Sequence, residues 1–476
     1  MSSFIGRASE LKALEQLLLK NTASLVTVMG RRRIGKSTLI QAFAAKVGTF
    51  YEFQGLYPNP KITKEHQLES FSERLSAYTK QPKMVLSSWQ QAFTQLAKAT
   101  RKQRCVILLD EISWMAHGDD TFTEQLKYIW DTEFSKNRKT ILVLCGSVSS
   151  WIQDNILHSA NFVGRISSQI TLKDLLLSES SRFWRWDYAS SYEKLKILCI
   201  TGGVPKYLEE LVTKESAESS IARSCFQDSG FLFNEYEKIF SEIFMRRAIT
   251  MSGIVKACLN HKLAPKDLAH TLSKPLNADF SRDIAILEVS GFLARDFSFN
   301  PDGKISKFSF LRLRDNYLRF FLTYLQPIRN RILKGGARFS TLEQLPNWEA
   351  TLGLQFENLI LHSRTEIYPH LGIEPSEIIS AAPYIQRANT RNRGGVQVDL
   401  LIHARRDEFY LCEVKCQRKI TSSIIKEVQT KVSRIALPKR ASVRPVLIFE
   451  GELDPNYQHT MQEYFYRIIP FKELVS

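Results

Sequence analysis

The segment Gly30-Arg31-Arg32-Arg33-Ile34-Gly35-Lys36-Ser37 constrains this chain more than any other. It has the spacing G-x-x-x-x-G-K-[S/T], follows the apolar run Leu25–Met29, and precedes helical periodicity at Leu39, Ile40 and Phe43. Strand, glycine-rich loop and helix together form the context in which such a loop cradles phosphate. The backbone curls so that its N–H groups face a β-phosphate, and the helix N-terminus adds its positive end. Lys36 then reaches the β- and γ-phosphate oxygens, and Ser37 offers its hydroxyl to Mg²⁺, with Thr38 beside it. The expected binding set is Gly30, Arg31, Arg32, Arg33, Ile34, Gly35, Lys36, Ser37 and Thr38, with ATP and Mg²⁺ as ligand and cofactor.

A phosphate loop needs a second half to hold the magnesium. Val106–Leu109 reads as a strand buried on both faces, and it ends in Asp110-Glu111. Asp110 is the expected Mg²⁺ residue, acting through the water shell, and Glu111 the base that orients the attacking water. An exposed strand end is the competing reading. Leu144-Cys145-Gly146-Ser147 ends the next apolar run, and parallel strands deliver their C-terminal ends to one edge. Ser147 is the candidate γ-phosphate sensor, with a plain strand-to-helix cap as the alternative. Arg165 fits a transition-state or hydrolysis-sensing arginine, in cis or from a neighbouring subunit, and equally a surface arginine.

The 476 residues predict about three domains. With 65 Lys+Arg against 49 Asp+Glu, the formal charge is +16, which points to polyanions: nucleic acid first, an acidic membrane surface second. The seven cysteines are scattered without C-x-x-C spacing, which argues against a zinc knuckle and for a reducing cytosol. The N-terminal residues lack the apolar region of a signal peptide, and no apolar run approaches the ~18–20 residues that cross a bilayer. A cytoplasmic protein without membrane insertion is expected.

Ser9 is the expected N-cap of a first helix, Ala8–Leu19. After about residue 170 the strand signal fades and helices are predicted over Tyr192–Ile200 and Tyr207–Leu211. Three short helices, Ile249–Leu259, Pro265–Leu272 and Asp279–Ser290, precede a hairpin of Phe292–Phe299 and Lys307–Leu313. Pro301-Asp302-Gly303 would be its turn, and the pattern is that of a winged helix-turn-helix. The third helix mixes Arg282 with Asp279, Asp283 and Glu288, which favours packing over reading DNA sequence. A linker runs over about 327–337, and a new α/β pattern begins near Leu342.

Several segments occur in an order that resembles the archaeal-type ATPases of the AAA+/STAND-like division of P-loop proteins. They are Phe4-Ile-Gly-Arg7, Gly30–Ser37, Leu108-Leu-Asp-Glu111, Cys145-Gly-Ser147, Gly164-Arg165 and Gly202-Gly-Val-Pro205. The resemblance covers about residues 1–230. It implies an additional-strand P-loop fold and places Gly203 and Pro205 in a helical lid near the nucleotide. Such proteins often continue into a winged helix and a C-terminal domain (DUF234) that resembles restriction-endonuclease-like nucleases. The expected architecture is thus α/β: a P-loop NTPase parallel-sheet domain (1–170), helical lid (171–235), winged helix (236–326) and restriction-endonuclease-like α/β domain (340–476).

Near the end, Glu357 lies on a predicted helix, Asp399 on a strand Gly395–Ile402, and Glu413 and Lys415 on a strand Phe409–Lys415. Asp399 and Glu413 are 14 residues apart, a hairpin distance, and strand alternation puts Glu413 and Lys415 on one face. Two carboxylates can hold Mg²⁺ or Mn²⁺ through oxygen, and the metal then polarises a phosphodiester and acidifies water. Lys415 would orient the water or neutralise charge. The set resembles the PD-(D/E)xK nuclease signature, with Val398-Asp399 in place of the usual Pro-Asp and Glu357 as an added helix acid. A solvated hairpin of alternating charges is the bland alternative. Gln429 and Lys431 on the next helix fit phosphate contacts or a solvated face, and so do the basic runs Arg387–Arg393 and Lys415–Lys419.

The expected activity is an ATP-hydrolysing P-loop ATPase coupled to a metal-dependent nuclease acting on nucleic acid, DNA before RNA. The alternative is an ATP-driven signalling or assembly switch whose nuclease-like domain is inactive and only binds nucleic acid or protein. A homo-oligomer is compatible with either.

Overall fold

The strongly apolar runs become the centre of a parallel sheet. In the computed structural model, residues 4–101, 103–147, 149–186, 188–244, 247–299, 305–336, 339–386, 394–438 and 440–476 are described. They form two units, residues 1–173 and 174–476. The first unit holds β1 (Ser24–Met29), β2 (Phe50–Gln54), β3 (Cys105–Asp110), β4 (Thr140–Gly146) and β5 (Ile166–Thr171). Their order is β2-β3-β4-β1-β5, all parallel. Every residue of β1, β3 and β4 is buried, because helices cover both faces and a strand there has no polar side. Leu39, Ile40 and Phe43 of helix Lys36–Val47 pack on one face with Val26, Val28, Val106 and Val143. Trp89, Phe93, Phe122 and Leu126 pack on the other with Ile107 and Leu109.

Two features depart from expectation. Helix Ala8–Leu17 is entered through left-handed backbone at Gly6 (φ 73°) and Arg7 (φ 61°), so Arg7 is the N-cap. Ser9 lies inside the helix, where its hydroxyl donates to Glu10 at 2.6 Å rather than capping. Strand β5 has no counterpart among the expected elements. It is an edge strand, and only Ile170 of Ile-Ser-Ser-Gln-Ile-Thr is buried, so its sequence carries little apolar signal.

The second unit begins with helices, among them Ser191–Thr201, capped by Ser190, and Pro205–Leu211. Helices Ala248–Ala257, Pro265–Thr271 and Ala278–Val289 follow, then the antiparallel pair β6 (Leu293–Phe299) and β7 (Ile305–Leu313). The expected turn Pro301–Gly303 and the basic run Arg387–Arg393 lie outside the described residues. A five-stranded sheet closes the chain: β8 (Ile378–Gln386), β9 (Val396–Ala404), β10 (Glu408–Ile420), β11 (Ser442–Leu453) and β12 (Arg467–Pro470), in the order β12-β11-β10-β9-β8. Strand β10 is antiparallel to β9 and parallel to β11.

Helix Trp348–His362 buries amides as well as apolar groups. Gln355 donates to the Asn316 carbonyl at 2.7 Å and accepts from Arg319 at 3.2 Å. Asn358 donates to the Leu313 carbonyl at 3.0 Å and accepts from Arg312, which also pairs with Asp296 at 2.7 Å. These bonds tie the helix to β7 and to helix Asn316–Phe320, since a buried amide left without partners would cost about 1–3 kcal/mol. No helix among the described residues is long and apolar enough to cross a membrane.

Candidate functional site

The order β3-β4-β1 brings three strand ends side by side, with β4 inserted between the phosphate-loop strand and the Asp110 strand. Gly30 leaves β1 with φ 149°, and a Cβ there would lie 2.8 Å from the Leu172 carbonyl, so only glycine fits. Gly35 turns the chain into helix Lys36–Val47 with φ 87°. Within the loop, the buried Lys36 ammonium folds back to donate to the carbonyls of Gly30 at 3.1 Å and Arg31 at 3.2 Å. Ile34 is buried beneath the loop, whereas Thr38 is exposed in the first helical turn. Arg7, outside the expected binding set, donates to the Ile34 carbonyl at 3.2 Å and braces the loop from behind. The only sequence signal for it is its place in the Phe4–Arg7 segment.

Ser37 and Asp110 meet: the hydroxyl donates to the carboxylate at 2.6 Å. The other Asp110 oxygen accepts the Glu111 N–H at 3.0 Å. Glu111 has left-handed backbone (φ 50°), which turns its side chain toward β4. There one carboxylate oxygen accepts from Ser147 twice, from N–H at 3.1 Å and from Oγ at 2.8 Å. The Ser37 hydroxyl and Asp110 carboxylate are hard oxygen donors that fit Mg²⁺. Arg165 makes a bidentate pair with Asp131 of helix Phe122–Thr132, at 2.7 and 2.9 Å, and is turned to that helix rather than to the loop. Pro205 opens helix Pro205–Leu211 in the second unit.

A separate site lies in the second unit. The β9–β10 ladder stops at Leu400↔Cys412. Beyond it the strands part, and the Asp399 carboxylate takes the Val414 N–H at 2.9 Å. The opening is a cavity of about 910 Å³ lined by Glu357, Asp399, Glu413, Lys415, Glu427 and Lys431, among others. Glu413 is 1% exposed and held from both sides, by Lys415 at 3.0 Å on Oε1 and Lys431 at 2.5 Å on Oε2. Glu427, on helix Ser423–Arg434, pairs with the same lysines at 3.0 and 3.4 Å. Glu357 is turned to Lys262 at 2.8 Å.

Burial first, then the charges of Glu413 and Glu357, push the Asp399 carboxyl up to about 7. Burial also raises Glu413, against the pull of Lys431 and Lys415. A buried and a half-buried oxygen donor that repel each other suit a hard divalent cation. Among the described residues no group of three or more His, Cys, Asp or Glu is arranged to hold a metal. A cation on this pair would complete its shell with water and phosphate oxygens, as Mg²⁺ commonly does.

Residues 4–211 match the family described as an ATPase domain predominantly from Archaea. The comparisons support an archaeal-type P-loop ATPase. An uncharacterized protein of Methanocaldococcus jannaschii is 24% identical over 362 residues, 75% of this chain and 76% of that one. Among solved structures, a Walker-type ATPase of Pyrococcus abyssi aligns with a TM-score of 0.51 at 16% identity, over 67% of this chain and 96% of its own. At that identity the likeness bears on the fold. The ORC2 protein of Aeropyrum pernix aligns at 14% identity and a TM-score of 0.42, over 71% of this chain and 98% of its own. For the ATPase domain, the additional strand expected from sequence is β4.

Proposed function

We propose that the chain is an ATP-binding and ATP-hydrolysing switch coupled to a metal-dependent, nuclease-like domain that acts on nucleic acid, DNA before RNA. The observation that carries the first half is the 2.6 Å bond between Ser37 and Asp110 beneath a complete phosphate loop. In this reading Lys36 would exchange its two loop carbonyls for phosphate oxygens, and Ser37 and Asp110 would hold Mg²⁺. Bound Mg²⁺ supplies charge neutralisation on the phosphates. Glu111 orients the attacking water, and Ser147 fixes that carboxylate and reports the γ-phosphate. Arg165, held by Asp131, would have to leave that pair to act in cis or in trans. Gly203 and Pro205 belong to a helical lid.

The second half rests on Asp399, Glu413 and Lys415 facing one cavity from two adjacent strands. Asp399 and Glu413 would hold Mg²⁺ or Mn²⁺, Lys415 would neutralise charge at the scissile phosphate, and Glu357 would supply an added acid once parted from Lys262. The three helices and hairpin of residues 248–313 are read as a winged helix. Two acids of its third helix are internally engaged: Asp283 pairs with Arg247 at 2.7 Å and Glu288 with Arg295 at 2.7 Å. That pairing supports a packing role over base reading. A cytoplasmic protein, able to self-associate, fits this reading.

The test uses purified protein with labelled single- and double-stranded DNA and RNA, Mg²⁺ or Mn²⁺, with and without ATP. Lys36→Ala is expected to lose ATP hydrolysis and Lys415→Ala to lose cleavage. Cleavage undiminished in Lys415→Ala, Asp399→Ala and Glu413→Ala would refute the nuclease assignment. One observation favours a second reading, a domain that only binds: both Glu413 oxygens are already neutralised by lysines. It predicts intact ATP hydrolysis, no cleavage, and no response of the second unit to Mg²⁺ or Mn²⁺.

A further inference from the structure

Lys431 stands out because the ligand pair works without it, yet it is the cation nearest to that pair. Its ammonium lies 2.5 Å from Glu413 Oε2, with the side chain 18% exposed. It comes from helix Ser423–Arg434, whereas Lys415 comes from β10 itself. Burial works against its charge, but Glu413 and then Asp399 outweigh that, so the ammonium feels both carboxylates. One positive charge serving two carboxylates, Glu413 buried and Asp399 half-buried, is electrostatically what a divalent cation does there.

Lys431 also has somewhere else to go. Glu427 is one helical turn back, with its Oε1 at 3.4 Å from the same ammonium, and at 43% exposed it faces solvent. Residues four apart on a helix can pair across its surface. A lysine has a long, flexible stem and a compact charge, so it can leave one carboxylate for another without moving the backbone.

We propose that Lys431 is a displaceable internal counter-ion, holding Glu413 in the resting site and giving it up to an incoming divalent cation while it retires to Glu427. The inference rests on Asp399 and Glu413 being a cation-binding pair. Its consequence is that Lys431 weakens metal binding, because the metal must evict a like charge from the same oxygens. A like charge a few ångströms from the same oxygens opposes the metal, and reorganisation and water offset only a part of that opposition. A tenfold or greater gain in affinity is therefore expected on neutralising Lys431.

The test is a Mn²⁺ titration of the full chain without nucleotide, read by loss of the free-ion electron paramagnetic resonance signal. Asp399→Asn/Glu413→Gln sets the background from Ser37 and Asp110. Lys431→Met is expected to bind Mn²⁺ about tenfold tighter or better than wild type, and Lys431→Arg to return toward the wild-type value. Lys431→Gln repeats the neutralisation with a polar chain, should Met disturb packing. Unchanged or weaker binding in Lys431→Met and Lys431→Gln overturns the proposal while the metal site stands, provided wild-type binding exceeds the double-variant background. No binding above that background in any protein overturns the metal site, and the proposal with it.

Discussion

Replacing Asp399 by asparagine should stabilise the metal-free protein at alkaline pH. The wild-type carboxyl is pushed from an ordinary 3.8 to about 7, by burial and then by Glu413 and Glu357. Between those values the folded chain holds a proton that the unfolded chain has released, so stability falls as pH rises through that window. About three pKa units at ~1.36 kcal/mol each sets an upper limit near 4 kcal/mol above pH 7. Relaxation around the charge lowers this, and about 2–4 kcal/mol is the working figure. Asparagine is nearly isosteric and keeps an oxygen for the Val414 N–H, so the variant removes the charge and little else. With about 2.1 cal/mol/K per residue over roughly 300 residues, that corresponds to about 3–6 °C in the second unit's transition. The assay is differential scanning calorimetry in EDTA at pH 8 and at pH 4. The gap should be present at pH 8 and close to zero at pH 4, and excess Mg²⁺ should raise the second unit's transition in the wild type alone, since the Ser37–Asp110 site is common to both proteins. A variant less stable than wild type at pH 8, or a gap independent of pH, would refute the account of Asp399 as a half-buried, repelled carboxyl.

Glu111→Gln should retain nucleotide affinity within a fewfold and lose at least about a hundredfold in ATP turnover, since the amide keeps the Ser147 bonds but cannot draw on a water proton; steady-state phosphate release and nucleotide titration check this. Ser147→Ala should cost turnover more modestly, about tenfold, by removing the hydroxyl bond to Glu111 and leaving only the backbone one, with the same assays deciding. Gly203→Ala should destabilise the second unit by several kcal/mol, because its Cβ would run into the Leu175 backbone. Denaturant unfolding followed by tryptophan fluorescence would show it.

The phosphate-loop half was legible because its chemistry is local. Gly30 and Gly35 are needed for backbone shape, Lys36 and Ser37 for their reach, and four apolar residues before Asp110 mark a doubly covered strand. The C-terminal pair was legible in part. Strand alternation placed Glu413 and Lys415 together, but the partners supplied by other elements, Glu427 and Lys262, leave no trace in local pattern. Lys431 reads from sequence only as a lysine facing either phosphate or solvent. Its position depends on how helix Ser423–Arg434 lies across β9 and β10. Strand β5 escaped because an edge strand is only half buried, and β8 because Pro383 interrupts it. Arg7 escaped because its bond to Ile34 joins residues 27 apart, which no periodicity encodes.

Glu357 and Asn358 are consecutive residues with unlike obligations. One lines the carboxylate cavity, and the other is locked by buried amide bonds to Leu313 and Arg312 at the end of the hairpin. A helix advances about 100° per residue, so the two side chains leave one turn toward different neighbours. The helix Trp348–His362 therefore joins the hairpin to the cavity through a single turn of backbone. A substitution at Arg312 takes a buried partner from both Asp296 and Asn358, so its cost in stability falls on the same helical turn that carries Glu357.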